Sequence, residues 1–201
     1  MRLWALSLLV LAGCTVQERK APAVGDRDTT AAIARIRAIP GLGARLRPDS
    51  ALLPATLGVK LDGKVDLDVI VPLTASGPLR IAGDAGRVLD VNVAHTRDLK
   101  GLIESGAMVF VAPSPEHDSV MIAEPARFTD VHVLRGPSAT SVRMQLRLGD
   151  GLVRAKVAAN VVQLIAKDGT IWLRTEPLEV IDGNGQHHAV TPALEGNERT
   201  P

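Results

Sequence analysis

The chain has 201 residues with 23 basic and 22 acidic side chains, and no long run of one sign, so nothing in its charge steers it to nucleic acid. Tyrosine is absent and aromatic residues make up 2%, which argues against the stacking surfaces of a lectin or a single-strand RNA binder. One cysteine excludes an intramolecular disulfide, so stability must come from a core, for which 46% hydrophobic residues provide the material.

At the N-terminus Arg2 precedes an apolar run from Leu3 through Gly13. At about 1.5 Å per residue this run is too short to cross a hydrocarbon layer of about 30 Å. After Cys14 the polar stretch "TVQERKAPAVGDRD" forbids its extension, so it reads as a leader and not as a span. Small residues before a cut site let a peptidase hold the chain extended, and Ala12 and Gly13 meet that need. The tetrad Leu11-Ala12-Gly13-Cys14 resembles the lipobox of bacterial lipoproteins. That resemblance implies a diacylglyceryl group on the Cys14 sulfur, cleavage before Cys14 and acylation of the new amine. Two or three acyl chains, at about 0.8 kcal/mol per buried methylene, anchor a protein firmly. Taking away residues 1–13 leaves 188 residues, with 22 basic and 22 acidic side chains because Arg2 is the leader's only charge.

A flexible tether is expected over 14–28. A short helix and linker follow over 29–56: in "TTAAIARIRAIPG" Thr29 or Thr30 caps, Ile33, Ile36 and Ile39 recur at helical spacing, and Pro40-Gly41 stops the helix. Such a helix is expected to pack as a lid on the domain, its arginines notwithstanding. From Leu57 the period changes to two. Val59, Leu61, Val65, Leu67 and Val69 alternate around Asp62-Gly63 as in a hairpin. Further strands are expected in "RVLDVNVAH", "AMVFVA", "SVMIA", "TDVHVLR", "VRMQLRL", "LVRAKVAAN", "VVQLIAK", "TIWLR" and "LEVID". Turns at Gly149-Asp150-Gly151, Asp168-Gly169 and Asp182-Gly183-Asn184-Gly185 separate several of them. About ten short strands with almost no helix between them predict an all-β fold, one or two antiparallel β-sandwiches over 57–194, and exclude parallel βαβ units. Residues 97–106, "RDLKGLIESG", fit a helical turn or a crossing loop, and a disordered tail is expected over 195–201.

The last quarter, "DGLVRAKVAANVVQLIAKDGTIWLRTEPLEVIDGNGQHHAVTPALEG", is similar to an N-terminal β-rich module of large, often myxobacterial-type, surface lipoproteins, where it precedes kelch, regulator-of-chromosome-condensation-like or rearrangement-hotspot repeats. Pro177, Val180, Asp182 and Gly185 carry the resemblance. It implies architecture rather than catalysis, and this chain ends where such proteins continue into repeats.

Candidate chemistry is sparse. His187 and His188 are adjacent on a strand and point to opposite faces, so one metal ion cannot readily take both. His117-Asp118, beside Glu116 in "PSPEHDS", reads as an exposed loop, and His95 and His132 as surface positions. Asp66 and Asp68 share a strand face about 7 Å apart, near Asp62, but without the terminal bidentate glutamate of an EF-hand. A nucleophile elbow, P-loop, zinc-protease motif and dinucleotide fingerprint are all absent. No catalytic residue, metal ligand or cofactor is therefore assigned, and the site residues are Cys14 for lipidation and Leu11, Ala12 and Gly13 for signal recognition. The expected function is that of an exported, membrane-anchored lipoprotein, with no enzymatic activity, that serves as a structural or interaction module. Its partners would be membrane lipid through acylated Cys14 and an envelope protein, with no nucleic acid. Thr15 instead of aspartate after Cys14 resembles lipoproteins sent on to the outer membrane. A carrier or chaperone for an apolar ligand is the first alternative, a hydrolase the second.

Overall fold

Alternating apolar and polar residues punctuated by glycine turns build strands wherever each face of the strand finds its own environment. The computed structural model describes residues 5–12, 29–39, 41–46, 52–55, 58–61, 68–94, 96–114, 116–124, 127–134, 141–182 and 185–195. The fold is an all-β sandwich with one short helix, α1 (Thr29–Arg37). One sheet has six strands, in the spatial order β11 (Met144–Leu148), β6 (Val88–Val93), β5 (Leu79–Ala82), β4 (Asp68–Pro72), β3 (Gly58–Leu61) and β2 (Leu52–Ala55), all antiparallel. The other has ten. Its main path runs β12 (Leu152–Ala158), β13 (Val161–Ala166), β14 (Ile171–Thr175), β1 (Ala5–Ala12), β10 (Arg127–Leu134), β9 (His117–Glu124), β8 (Ala107–Phe110) and β7 (Leu102–Glu104), with β15 (Glu179–Asp182) also on β1 and β16 (His187–Ala189) on β15.

Three layers result. Val71, Leu79, Ile81, Leu89 and Val91 of the six-stranded sheet pack against Met108, Phe110, Met121, Phe128, Leu152, Leu164 and Leu173 of the ten-stranded one. On the far side of the larger sheet Ile33 and Ile36, both at 0% exposure, pack with Ala107, Val109, Val120, Ile122, Val131, Val133 and Ile181. The helix is thus the expected lid, and its polar groups are tied to the sheet too. Arg37 Nη2 donates to Ser105 Oγ at 2.5 Å, and Arg45 of the following 3-10 turn donates to Thr129 Oγ1.

Several strands differ from expectation. β1 occupies the apolar run expected as a leader, and it pairs in parallel with β10, β14 and β15, although there is no βαβ unit among the described residues. β2 lies in the segment expected as linker. β7 stands where a helical turn or a crossing loop is expected, because Ser105 (φ 50°) and Gly106 (φ 73°) form a two-residue turn that returns the chain into β8 as a hairpin. β3 and β4 do pair, but the register Val59↔Val71 leaves residues 62–67 between them, so Asp62-Gly63, Val65 and Leu67 lie outside the described residues. So do Pro40, His95, Gly183 and Asn184, and residues 14–28 and 196–201.

Gly149-Asp150-Gly151 carries the chain from β11 in one sheet to β12 in the other. Its glycines are needed because the turn lies on the β5–β6 hairpin: Gly149 N donates to Val88 O at 2.7 Å and Gly151 N to Gly86 O at 3.1 Å. A Cβ at Gly151 would sit 2.7 Å from Arg87 N and 2.8 Å from Ala85 O. On the outer face of the smaller sheet Arg80 binds Asp90 in bidentate fashion, at 2.7 and 2.9 Å, and these hydrogen bonds and the opposite charge raise the Arg80 pKa above its usual value. At the β13–β14 turn the Thr170 hydroxyl and amide donate to Asp168, holding its carboxyl below the usual range. Because the clash at Gly151 is with backbone, Gly151→Ala is expected to lower stability by about 1–3 kcal/mol, several degrees in Tm, as measured by thermal and urea unfolding.

Candidate functional site

Each residue of β9 and β10 alternates between the helix side and the sandwich interior, and the interior side is polar over one stretch. On β10 Val131 and Val133 pack beneath α1, which sends Asp130 and His132 inward with Phe128. On β9 Val120 and Ile122 face α1, which sends His117 and Ser119 inward with Met121. The pairing sets Ser119 opposite His132. Five polar residues thus gather at one end of an otherwise apolar core: Ser114, His117, Ser119, Asp130 and His132, all buried.

The cluster has two halves. In the deeper one Asp130 accepts from Ser119 Oγ at 3.0 Å through Oδ1 and pairs with His132 Nε2 at 3.1 Å through Oδ2. The carboxylate stands between hydroxyl and imidazole, so the imidazole has no access to the hydroxyl proton. This arrangement is a satisfied buried carboxylate and not a charge-relay triad. The other nitrogen of His132, Nδ1, has no hydrogen-bond partner among the described residues, although His132 is 0% exposed. In the outer half Ser114 Oγ lies 2.7 Å from His117 Nδ1 and accepts from the Glu116 amide at 3.2 Å. The amide takes one lone pair of the oxygen, which leaves the hydroxyl able to donate to Nδ1 or to accept from it according to the His117 tautomer. The two imidazoles meet edge to face, with centroids 5.0 Å apart and planes at 77°.

A cavity of about 310 Å³ opens at this end of the sandwich, lined by Val93, Ala94, Ser114, Glu116, His117, Ser141, Val142 and Arg143. Arg143 Nη2 is 3.6 Å from Glu195 Oε2, which lays the C-terminal segment beside it. Asp118, the residue after His117, points the other way. Its Oδ1 accepts from the Ala112 amide at 2.8 Å, where Ala112 has φ 50°, and its Oδ2 is 4.0 Å from Arg35 of α1.

Three histidine readings are thereby decided. His117 and Asp118 are buried residues at the start of β9 rather than an exposed loop, and His132 is a core residue rather than a surface one. The prolines of "PSPEHDS" suggest a loop where β9 in fact begins, and the alternation around His132 suggests a wet face where β10 has protein on both sides. His187 and His188 do diverge, with side chains 53% and 54% exposed, the first 2.7 Å from Glu179 and the second 3.1 Å from Asp182. Among the described residues no group of three or more His, Cys, Asp and Glu is placed to hold a metal ion. Asp68 is an exposed residue at the start of β4, and Asp62 and Asp66 lie outside the described residues.

Of the four signal residues, Leu11 and Ala12 close β1, opposite Val133 and Leu134, while Gly13 and Cys14 lie outside the described residues. The positions that carry the module resemblance are structural: Pro177 joins β14 to β15, Val180 lies on β15, and Asp182 closes the turn by accepting from the Gln186 amide at 3.0 Å, with Gly185 at φ 80°. Comparison of the chain with protein families, curated proteins and solved structures found no match.

Since Asp130 gathers both donors of the deeper half, Asp130→Ala leaves a buried hydroxyl and a buried imidazole without their acceptor. A loss of about 2–4 kcal/mol in denaturant unfolding is expected, with Asp130→Asn losing less because it keeps one acceptor oxygen.

Proposed function

We propose that the protein is an exported lipoprotein of the bacterial envelope, held at the outer membrane by acyl chains on Cys14, whose β-sandwich is a noncatalytic interaction module. The observation that carries this reading is Leu11-Ala12-Gly13-Cys14 at the end of the apolar run after Arg2, with the single cysteine of the chain where lipid would be attached. Among the described residues no helix is long and apolar enough to cross a membrane, so a tether is what an envelope location would call for. The likeness of the last quarter to the front modules of surface lipoproteins agrees in kind. The carrier alternative has less in its favour, because the cavity is lined by Ser114, Glu116, His117 and Arg143 and not by aliphatic side chains alone.

A hydrolase is the second reading, and one contact favours it. Ser114 Oγ and His117 Nδ1, 2.7 Å apart at the wall of the cavity, have the spacing of a nucleophile and its base. Against it, the Ser119–Asp130–His132 group beside them is in the wrong order to relay a proton.

In cells fed an alkyne fatty acid, the wild-type chain is expected to carry the label and fractionate with membranes, and Cys14→Ser to lose both. Unchanged label and membrane fraction in Cys14→Ser overturn the lipoprotein reading. A fluorophosphonate probe is expected to leave Ser114 unlabelled. Labelling that disappears in Ser114→Ala and in His117→Gln would establish the hydrolase instead.

A further inference from the structure

Among the described residues β1 is the only link between the two halves of the ten-stranded sheet. Its eight residues pair on one side with all of β10. On the other side Ala5 and Leu6 meet the end of β14, and Leu9–Ala12 meet β15. Among the described residues β10 and β15 have no other neighbour on those edges. If residues 1–13 are cut away, as the lipoprotein reading requires, the edges of β10, β14 and β15 are left facing each other across the width of one strand, about 10 Å.

That gap is not free to close, because its walls are held from both sides. Phe128 on β10 and Leu173 on β14 belong to one core cluster with the six-stranded sheet. Val131 and Val133 on β10 and Ile181 on β15 belong to another with Ile33 and Ile36 of α1. The open edge of β10 is about 26 Å long, and alternate residues along it present N–H and C=O groups inside an apolar, half-dry channel where water is a poor substitute for a strand. An edge of this kind is a template for another chain.

We propose that the processed domain is a strand acceptor: the slot between β10 and β14–β15 takes an extended apolar segment of about eight residues from a second polypeptide, running parallel to β10. The inference rests on leader removal and specifies the chemistry of the partner. Main-chain hydrogen bonds to β10 and β15 would supply affinity, and the apolar clusters on either side of the sheet would select small and aliphatic side chains and reject charge.

The test uses protein purified from membranes of producing cells. Its intact mass is read first: a retained 1–13 segment without lipid sinks the lipoprotein reading before the slot is probed. With the processed chain in hand, hydrogen exchange is expected to show fast amides in β10 and β15, which slow when a lysine-flanked peptide of residues 5–12 is added. The same peptide bearing Leu9→Pro is expected to have no effect. A photoreactive residue replacing Leu6 of the peptide should label near Phe128 and Thr175, and one replacing Leu11 near Val133 and Ile181. Amides of β10 and β15 already slow before peptide is added, absence of peptide binding, or the reversed labelling pattern each overturn the strand acceptor.

Discussion

The part of the larger sheet formed by β8, β9 and β10 is buried on both faces, and much of the molecule depends on that constraint. One face meets the smaller sheet and the other meets α1, so β8, β9 and β10 must place a side chain in a dry environment at every position along them. β8 obeys in the simplest way and is buried at all four residues. β9 and β10 have polar residues at places where solvent is not available, and each such group must find its partner inside. Asp118 finds the Ala112 amide, Asp130 finds Ser119 and His132, and Ser114 finds His117. Among the described residues His132 Nδ1 goes without.

The same constraint explains what was legible in the sequence. Met144–Leu148 alternates between half-buried and exposed residues, and its period is easily read. The lid helix was legible because Ile33, Ile36 and Ile39 fall on one stripe. The polar cluster was not, since "TDVHVLR" has the same pattern whether its aspartate and histidine face water or a second sheet. Nothing local to that stretch distinguishes the two, and only the knowledge that α1 covers Val131 and Val133 does so. Leu79–Ala82 was missed for a related reason, as four residues between glycine-rich turns are too few to establish a period.

Ala5–Ala12 shows how one run of sequence satisfies two physical demands. An aliphatic stretch without charge suits a signal segment that enters a membrane, and it equally suits a strand inserted between two others in a sheet. Composition does not separate these fates, because the bilayer and the protein interior both reward the removal of apolar surface from water. In the proposed reading the two fates are successive claims on the same residues, and the strand's place in the sheet outlasts the strand.

The register of that strand also sets a clock. Ala5 pairs with Arg127, 122 positions further along, and Leu9 with Glu179 further still. A ribosome adding about 5–20 residues per second needs roughly 6–24 s to reach even the first of these partners. Throughout that interval the strands that pair with the segment among the described residues have not yet been made. On the proposed lipoprotein reading, export machinery would meet it while it is still unclaimed, the long detour of the topology keeping the N-terminus available for secretion.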